Sequence, residues 1–343
     1  MRRLLNTLYI TSEESYLALD GENVIVKKGE EIAARFSLHT LEAIITFAYA
    51  GASPALMGAC AQRGVELSFC TPRGRFLARA VGESTGNVHL RRRQYHIADD
   101  EKESVAIASS MLIGKVYNCR RNIERAIRDH GMRIDAAKLK TVSDSLKDSM
   151  QKLRSAQSRE ALRGLEGDAA SAYFSVFDEL ILRNKDSFCY RGRSRRPPLD
   201  NVNALLSFAY MLLASTCTNA LEANGLDSFV GFLHTDRPGR HSLALDLMEE
   251  LRPCMADRFV LTLINNRVVK HEDFIKTESG AVSIKDDARK ALLTAWQERK
   301  REVIMHPFLD EKIPIGLIPY VQAQLLARYL RGDLEEYPPF LLK

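Results

Sequence analysis

The feature that most constrains the fold of this chain is a change in hydrophobic periodicity near residue 85. Before that point, the runs Leu4–Ile10, Tyr16–Leu19 and Ile32–Ser37 are short, with alternating or β-branched apolar residues, a pattern typical of strands. After it, apolar residues recur every three or four positions, which is typical of amphipathic helices. The sequence therefore predicts an α+β fold in which a small β-rich part precedes a larger helical part.

The β-rich part is predicted to contain two hairpins and one short helix. Asp20-Gly21 suits a tight turn because these residues accept positive φ angles, and a strand at Val24–Lys27 follows it. Pro54 is well placed in the first turn of a helix that ends at Gly64. The second hairpin is predicted from two apolar runs and the turn between them, which are Val65–Cys70, Phe76–Val81 and Pro72-Arg73-Gly74.

Gly, Ser, Thr and Asn are concentrated in residues 82–87, and we interpret this stretch as a linker. It separates a β-rich domain at residues 1–85 from an all-α domain at residues 86–343. Helices are predicted beyond the linker from apolar residues spaced by three and four. They cover Ser104–Arg128, Val142–Ala156, Glu160–Arg183, Val202–Asn224, Ser242–Arg252, Lys285–Val303 and Ile318–Leu330.

The composition points to a cytoplasmic protein with no membrane association. The longest apolar stretch, Ala204–Ala214, is shorter than the roughly 18 apolar residues of a membrane span and contains Ser207 and Tyr210. We expect it to form a buried helix. No secretory segment is expected, because Glu13 and Glu14 interrupt the first apolar run. The six cysteines are widely spaced, as expected for free thiols. The net charge of +5 is compatible with a polyanionic partner but does not require one.

Three segments of the helical part carry side chains that could act together. Glu166 precedes a run of small residues, where a backbone or a ligand can approach closely. His234 opens a polar loop after an apolar run. Asp246 and Glu249 are three residues apart, so they project from neighbouring points on one helix face, whereas Glu250 is expected in solvent. Taken singly, a glutamate like Glu166 is more often a solvated residue of an Ala-rich helix, and a histidine like His234 is more often a loop or cap residue.

Two carboxylates and one imidazole from separate segments would suit a divalent cation. Oxygen ligands with one nitrogen favour Mg²⁺ or Mn²⁺, and the nitrogen shifts the preference towards Mn²⁺. Zinc fits less well, because the sequence has neither a cysteine or second histidine at ligand spacing nor a His-Glu-x-x-His motif. The sequence therefore indicates a Mg²⁺ or Mn²⁺ site without establishing it.

Four motifs of the helical part stand in a characteristic order. They are Glu166-Gly-x-Ala-Ala, Pro197-Pro198-x-Asp200-x-Val202-Asn203-Ala204-Leu205-Leu206-Ser207-Phe208-x-Tyr210-x-Leu212-Leu213, Gly231-Phe232-Leu233-His234 and Ser242-Leu243-x-Leu245-Asp246-Leu247-Met248-Glu249-Glu250-x-Arg252-Pro253. In order and roughly in spacing, this set resembles the CRISPR-associated spacer-acquisition endonuclease and integrase family, the nuclease of CRISPR adaptation modules. The β-rich part, the helical part and the length fit this family too, so the resemblance covers essentially the whole chain.

The resemblance implies an active site and a reaction. Glu166, His234 and Glu249 would be the ligands of the Mg²⁺ or Mn²⁺ ion. Asp246 would be a further catalytic residue that orients a ligand or a metal-bound water, although the roles of Asp246 and Glu249 could be exchanged. The reaction would be phosphodiester transesterification, in which the 3′ hydroxyl of a captured DNA fragment attacks a phosphate at the edge of a CRISPR repeat. Such a protein inserts foreign DNA as new spacers.

The resemblance also implies partners. We expect a homodimer, formed through the domain at residues 1–85, and a small second CRISPR-associated adaptation protein that bridges two dimers. The substrates would be double-stranded and branched DNA. Guanidinium groups bind phosphate without reading sequence, and those near the predicted metal site could contact DNA or simply be solvated. The predicted DNA-binding residues are Arg193, Arg195, Arg196, Arg237 and Arg240.

Two other functions compete with this one. The chain could be a catalytically silent DNA- or RNA-binding scaffold that uses the same basic surfaces, although a scaffold has no reason to keep Glu166, His234 and Glu249 together. It could also be a metal hydrolase of small phosphoesters. Such enzymes usually carry a second set of Asp and His ligands, which the sequence does not contain at a suitable spacing.

Overall fold

A computed structural model of the chain describes residues 6–71, 76–82 and 88–342. The chain forms two compact units, which are Met1–Thr85 with Ile284–Glu302, and Gly86–Ser283 with Val303–Lys343. Residues 284–302 thus belong to the first unit, whereas the sequence assigned them to a second domain at 86–343. The predicted turn at Pro72-Arg73-Gly74 and most of the predicted linker lie outside the described residues.

The first unit contains two β-sheets and is β-rich, as the sequence predicted. A four-stranded sheet has the order β1-β5-β6-β7, in which β1, β5 and β6 run parallel and β7 is antiparallel to β6. A second sheet, of order β2-β3-β4, is antiparallel throughout. The strands are β1 (Thr7–Ile10), β2 (Ser15–Asp20), β3 (Asn23–Lys28), β4 (Glu31–Ser37), β5 (Ala43–Thr46), β6 (Glu66–Cys70) and β7 (Phe76–Ala80).

Two helices complete the first unit. Helix α1 (Pro54–Arg63) begins as predicted, because the Ser53 side chain accepts a hydrogen bond from Leu56 N at 3.2 Å. It ends at Gly64, whose φ of 61° is in the left-handed region that glycine tolerates. Helix α9 (Asp286–Arg301) buries Trp296 almost completely. Burial of this apolar face is the physical reason that residues 284–302 pack in the first unit.

The second unit is mainly helical. Its α-helices among the described residues are α2 (Val88–Asp99), α3 (Glu101–His130), α4 (Ala136–Ser155), α5 (Arg159–Ser175), α6 (Asn201–Ala223), α7 (Ser242–Leu251), α8 (Arg258–Asn265) and α10 (Ile318–Leu330). Helix α3 is central because it packs against α4, α5 and α7. Helix α5 ends at Ser175 rather than at Arg183, and a short 3₁₀ turn at Phe177–Leu180 follows it.

The C-terminal part is helical but not all-α, which corrects the prediction. It contains two short antiparallel pairs, β8 (Phe274–Lys276) with β9 (Val282–Ile284), and β10 (Val303–His306) with β11 (Glu311–Pro314). Strands of three or four residues carry too little periodic pattern to be separated from loops by sequence.

Helix α6 is the most apolar helix of the second unit. By length and composition it could cross a membrane, but 61% of its most apolar window is buried inside the protein. Leu205, Leu206, Leu212 and Leu213 are all buried. This confirms the buried helix that the sequence predicted at Ala204–Ala214, and it is the environment of a core helix in a soluble protein.

Close packing of α3 against α7 brings their side chains together. At Gly114 on α3, a Cβ atom would lie 3.0 Å from Glu250 Cβ and 3.1 Å from Pro339 Cβ. A larger residue here would push these neighbours apart by a few tenths of an ångström, so glycine favours the close approach of the helices and the C-terminal segment. The next residue on α3 is Lys115, which this packing brings to the acidic residues of α7.

Candidate active site

Asp246 organises the loop that carries His234. Its Oδ2 atom accepts hydrogen bonds from the backbone N–H of Phe232 at 2.6 Å and of Leu233 at 3.0 Å. Its Oδ1 atom accepts the backbone N–H of His234 at 3.1 Å and lies 2.6 Å from His234 Nδ1. Because a carboxylate can only accept, the Nδ1–H of His234 is the donor of this contact, and a ring with its proton on Nδ1 presents the lone pair of Nε2 as a metal ligand.

The loop can wrap around Asp246 only because residue 231 is glycine. A Cβ atom at Gly231 would lie 2.7 Å from Asp246 Oδ2 and 2.9 Å from the carbonyl carbon of Ser242. Both distances are shorter than real Cβ contacts, and one of the two neighbours is rigid backbone. The Gly231-Phe232-Leu233-His234 motif therefore has a structural reason, which is to let backbone N–H groups reach a buried carboxylate.

Glu166 and Glu249 are brought together by a lysine. Lys115 Nζ contacts Glu166 Oε1 and lies 2.7 Å from Glu249 Oε2. The exposed fractions of the side chains are 3% for Lys115, 28% for Glu166 and 8% for Glu249. The ammonium group is thus buried between the two predicted carboxylate ligands, and the cluster opens to solvent on the side of Glu166.

The carboxyl of Glu249 stays ionised although it is buried. Burial raises its pKa, but the positive charges of Arg252 and Lys115 lower the pKa by more than burial raises it. The result is a pKa of about 2. Arg252 Nη1 donates to Glu249 Oε1 at 3.1 Å. Glu249 Oε2 is buried and accepts no aligned hydrogen bond, so its only close partner among the described residues is the Lys115 ammonium. This oxygen thus already faces a positive charge, which is the environment that a metal ligand needs.

Arg252, which contacts Glu249, also belongs to a cluster of two arginines around the Tyr210 ring. The guanidinium groups of Arg252 and Arg193 lie 5.1 Å and 5.3 Å from the centre of the Tyr210 ring, within the range of cation–π attraction. The Tyr210 hydroxyl donates to Asp257 Oδ1 at 2.6 Å. Arg252 and Asp257 are the two ends of a π-helical turn that follows α7, and such turns are frequent at functional sites.

Glu250 faces away from this cluster and is fully buried, so the prediction that it lies in solvent is wrong. Its carboxylate accepts hydrogen bonds from the Tyr337 hydroxyl, from Gln322 Nε2 at 3.0 Å and from Phe340 N at 3.1 Å. Burial raises its pKa to about 7 despite these donors. The reason is that the C-terminal segment covers the far side of α7, which one sequence cannot reveal.

The loop of His234 is also tied to the helix of Glu166. Arg163, one turn before Glu166 on α5, donates from Nε and Nη2 to the carbonyl oxygen of Leu233 at 3.2 Å and 3.1 Å. Both N–H groups of the rigid guanidinium converge on this one carbonyl oxygen, so the contact holds the loop of His234 close to α5. Arg163 was not predicted, because its partner is a backbone atom 70 residues away.

Lys115 was also missed, although a signal exists in the sequence. It lies four residues after Met111 and four before Cys119, on the buried face of α3. A lone lysine on an apolar helical stripe is unusual, because lysine is almost never fully buried unless it is paired. Such a position indicates an acidic partner, but it does not identify Glu166 and Glu249 as that partner.

The donor set can be tested against a divalent metal. Within the described ranges, no three His, Cys, Asp or Glu side chains form a ready-made metal group. The chemistry nevertheless fits: two carboxylates already converge on one cation, one buried oxygen lacks a hydrogen bond, and His234 has an uncommitted Nε2. Hard oxygen donors with one imidazole are the ligands that suit Mg²⁺ or Mn²⁺.

The predicted DNA-binding arginines fall into two groups. Arg195, Arg196 and Arg237 are exposed and Arg240 is half-buried. Arg193 is built into the fold, because its Nη1 donates to Asn203 Oδ1 at 2.7 Å and to the carbonyl oxygen of Ser194 at 2.6 Å. The exposed group has side chains that can reach a phosphate.

Known proteins resemble this chain over its whole length. Residues 8–298 match a family model described as CRISPR associated protein Cas1. A CRISPR-associated endonuclease Cas1 of Chlorobaculum tepidum is 49% identical over 341 residues, which are 99% of this chain and 99% of that protein. Identity at this level over the full length shows common family and fold.

Solved structures share the same fold. A casposase bound to its integration product has a TM-score of 0.83 at 21% identity and covers 98% of this chain and 94% of its own. A chain of a partial Cas6-RT-Cas1–Cas2 complex has a TM-score of 0.66 at 25% identity and covers 98% of this chain and 99% of its own. The β-rich and helical parts described above therefore follow a known architecture.

Proposed function

The chain belongs to the Cas1 family of CRISPR-associated proteins, and from this membership we propose that it is a metal-dependent DNA endonuclease and integrase of CRISPR adaptation. It inserts foreign DNA fragments into the CRISPR array as new spacers. The observation that carries this proposal is the convergence of Glu166 and Glu249 on one buried cation. His234, which Asp246 holds in place, lies near enough to Glu249 to lower the pKa of that carboxyl.

Glu166, His234 and Glu249 would hold a Mg²⁺ or Mn²⁺ ion. When bound, such an ion polarises a phosphate oxygen and stabilises the charge that develops in the transition state. Asp246 orients the His234 ring, and Arg252 keeps Glu249 ionised. Arg163 holds the loop of His234 against the helix of Glu166. These three residues position the ligands without needing to touch the substrate.

The reaction is a transesterification at phosphorus. The 3′ hydroxyl oxygen of a captured fragment forms a new bond to a backbone phosphate at the edge of a CRISPR repeat, the attacking hydroxyl loses its proton, and the existing 3′ oxygen leaves and gains one. Water in place of the hydroxyl gives nuclease activity. Exposed Arg195, Arg196 and Arg237 would hold the DNA backbone through phosphate contacts.

Joining both ends of a fragment needs two active sites at a fixed separation. We infer a homodimer formed through residues 1–85, with two dimers bridged by a small second CRISPR-associated protein in the cytoplasm. The likeness to a chain of a Cas6-RT-Cas1–Cas2 complex supports a partner of the Cas2 type. Double-stranded and branched DNA would be the substrates.

The test is strand transfer of a short duplex into a supercoiled plasmid that bears a CRISPR repeat, with Mn²⁺ or with a chelator. The double variant Glu166→Ala/His234→Ala should bind DNA as the wild type does but lose strand transfer. Asp168→Ala, an exposed acidic residue on the same helix as Glu166, should keep it. Full activity of the double variant would refute the metal site. A wild type that binds DNA without Mn²⁺-dependent transfer would favour the silent scaffold.

A further inference from the structure

We propose that Lys115 is an internal counter-cation that competes with the divalent metal for the carboxylates of Glu166 and Glu249. It holds the two carboxylates together when no metal is bound and lowers the affinity of the site for the metal. This inference rests on the proposed function, because it concerns the same carboxylates. It assigns a role to a residue outside the predicted ligand set.

The contacts of Lys115 carry the inference. Its ammonium contacts Glu166 Oε1 and lies 2.7 Å from Glu249 Oε2, and its side chain is only 3% exposed. A divalent ion held by the same two oxygens would lie within a few ångströms of this ammonium. Like charges repel at such a separation, and they repel more in a mostly buried site than in bulk water. The ammonium and the metal are therefore alternatives at these oxygens.

A counter-cation is needed because the carboxylates of Glu166 and Glu249 would otherwise face each other with like charges. Glu249 is buried and contacts two cations, Lys115 and Arg252, and removing the partner of a buried charge is strongly destabilising. Arg252 balances the charge of Glu249 through its hydrogen bond to Oε1. No arginine or lysine other than Lys115 forms an ion pair with Glu166 among the described residues. Lys115 therefore supplies the charge that keeps Glu166 next to Glu249.

The choice of lysine fits a contact that has to be released. Lysine carries its charge on a flexible four-carbon stem, so the ammonium can move while the backbone of α3 stays in place. An arginine would bind the carboxylates through a rigid fork and with more hydrogen bonds. Glu166, the more exposed carboxylate, is the partner from which the ammonium can withdraw.

The experiment measures Mn²⁺ affinity of the full-length protein by calorimetry and by electron paramagnetic resonance. Lys115→Met removes the charge at similar length, and we expect it to tighten Mn²⁺ binding on the order of tenfold, the effect of losing one charge-assisted contact.

Two control variants separate charge from other effects. Lys115→Arg should bind Mn²⁺ no more tightly than the wild type. Lys140→Met, which removes a half-exposed lysine of a surface ion pair, should leave the affinity unchanged. Unchanged or weaker binding by Lys115→Met would overturn the inference.

Two further measurements separate the possible failures. His234→Ala should weaken Mn²⁺ binding in the wild-type background. If it does so while Lys115→Met has no effect, only the role of Lys115 is refuted; if it does not, the proposed metal site fails and this inference falls with it. Should Lys115→Met be unfolded in chelator, Mn²⁺ should restore its native circular dichroism. Absence of that rescue would also overturn the inference.

Discussion

Asp246 Oδ1 lies 2.6 Å from His234 Nδ1, and both oxygens of this carboxylate are used in hydrogen bonds to the loop that carries the histidine. The carboxylate therefore sets the orientation of the ring and the path of the backbone at once. We therefore propose the supporting role for Asp246 and the ligand role for Glu249, which faces Lys115 and Arg252.

Replacing Asp246 with Asn should uncouple the ring from the loop. An amide has one acceptor oxygen instead of two, so it cannot serve the ring and the N–H groups of Phe232 and Leu233 together. We expect Mn²⁺ affinity and strand transfer to fall about 10- to 100-fold, as for other groups that orient a metal-bound histidine. Asp236→Asn, in the exposed part of the same loop, is the control. Equal affinities of Asp246→Asn and wild type would contradict this role.

Replacing Gly231 with Ala should damage the site through sterics alone. The new Cβ would lie 2.7 Å from Asp246 Oδ2, and overpacking of this kind costs about 1–3 kcal/mol of stability. Strand transfer should fall as well, because the loop must move away from Asp246. Gly164→Ala, on α5 with nothing within 4 Å of its Cβ, should be neutral or stabilising. Urea unfolding checks the first effect, and a Gly231→Ala protein as stable and active as wild type would disprove it.

The parts of the fold that were predicted depend on local signals. Asp20-Gly21 gives a tight turn wherever it stands between two apolar runs, and the hairpin of β2 and β3 is present, with Gly21 at a φ of 58°. Strand β5 was not predicted, because it has only four residues and both of its neighbours pair with it in parallel from distant positions. The pairing of β5 with these strands exists only in the folded chain and leaves no pattern in the local sequence.

The same distinction between local signals and long-range contacts applies to the candidate site. Glu166, His234, Asp246 and Glu249 stand in motifs, so a sequence can suggest them. Lys115 carries no motif, and its two partners are 51 and 134 residues further along the chain. Spacing in the sequence therefore could not connect Lys115 with Glu166 and Glu249. Its position on an apolar helix face indicated only that it has an acidic partner.

The exposed arginines should bind DNA without supporting the fold. Arg195→Ala/Arg196→Ala should weaken DNA binding and reduce the slope of log affinity against log salt by about 1–2, roughly one for each lost phosphate contact. Thermal stability should not change. Arg193→Ala should instead lower the thermal stability, because its guanidinium donates to Asn203 and Ser194. An unchanged salt slope in the double variant would show that Arg195 and Arg196 are only solvated.

Asp257 should make stability depend on pH in the opposite direction to an ordinary ion-paired carboxylate. Burial raises its pKa to about 6, above the value in the unfolded chain, so its contribution to stability is complete below about pH 4 and is lost as the pH rises through 6. Asp257→Asn cannot titrate and keeps an acceptor for the Tyr210 hydroxyl. Its stability relative to wild type should therefore rise by about 1–3 kcal/mol between pH 4.5 and 7.5.

Urea unfolding at several pH values in the presence of a chelator measures this difference for Asp257→Asn. Asp287→Asn provides the control, because the Asp287 side chain is 97% exposed and the difference should stay flat. A relative stability that falls with rising pH would mean that Asp257 is ionised beside Arg252, since the variant would then lose a charged partner. In that case Asp257, rather than Glu249, would carry the negative charge that balances the Arg252 guanidinium.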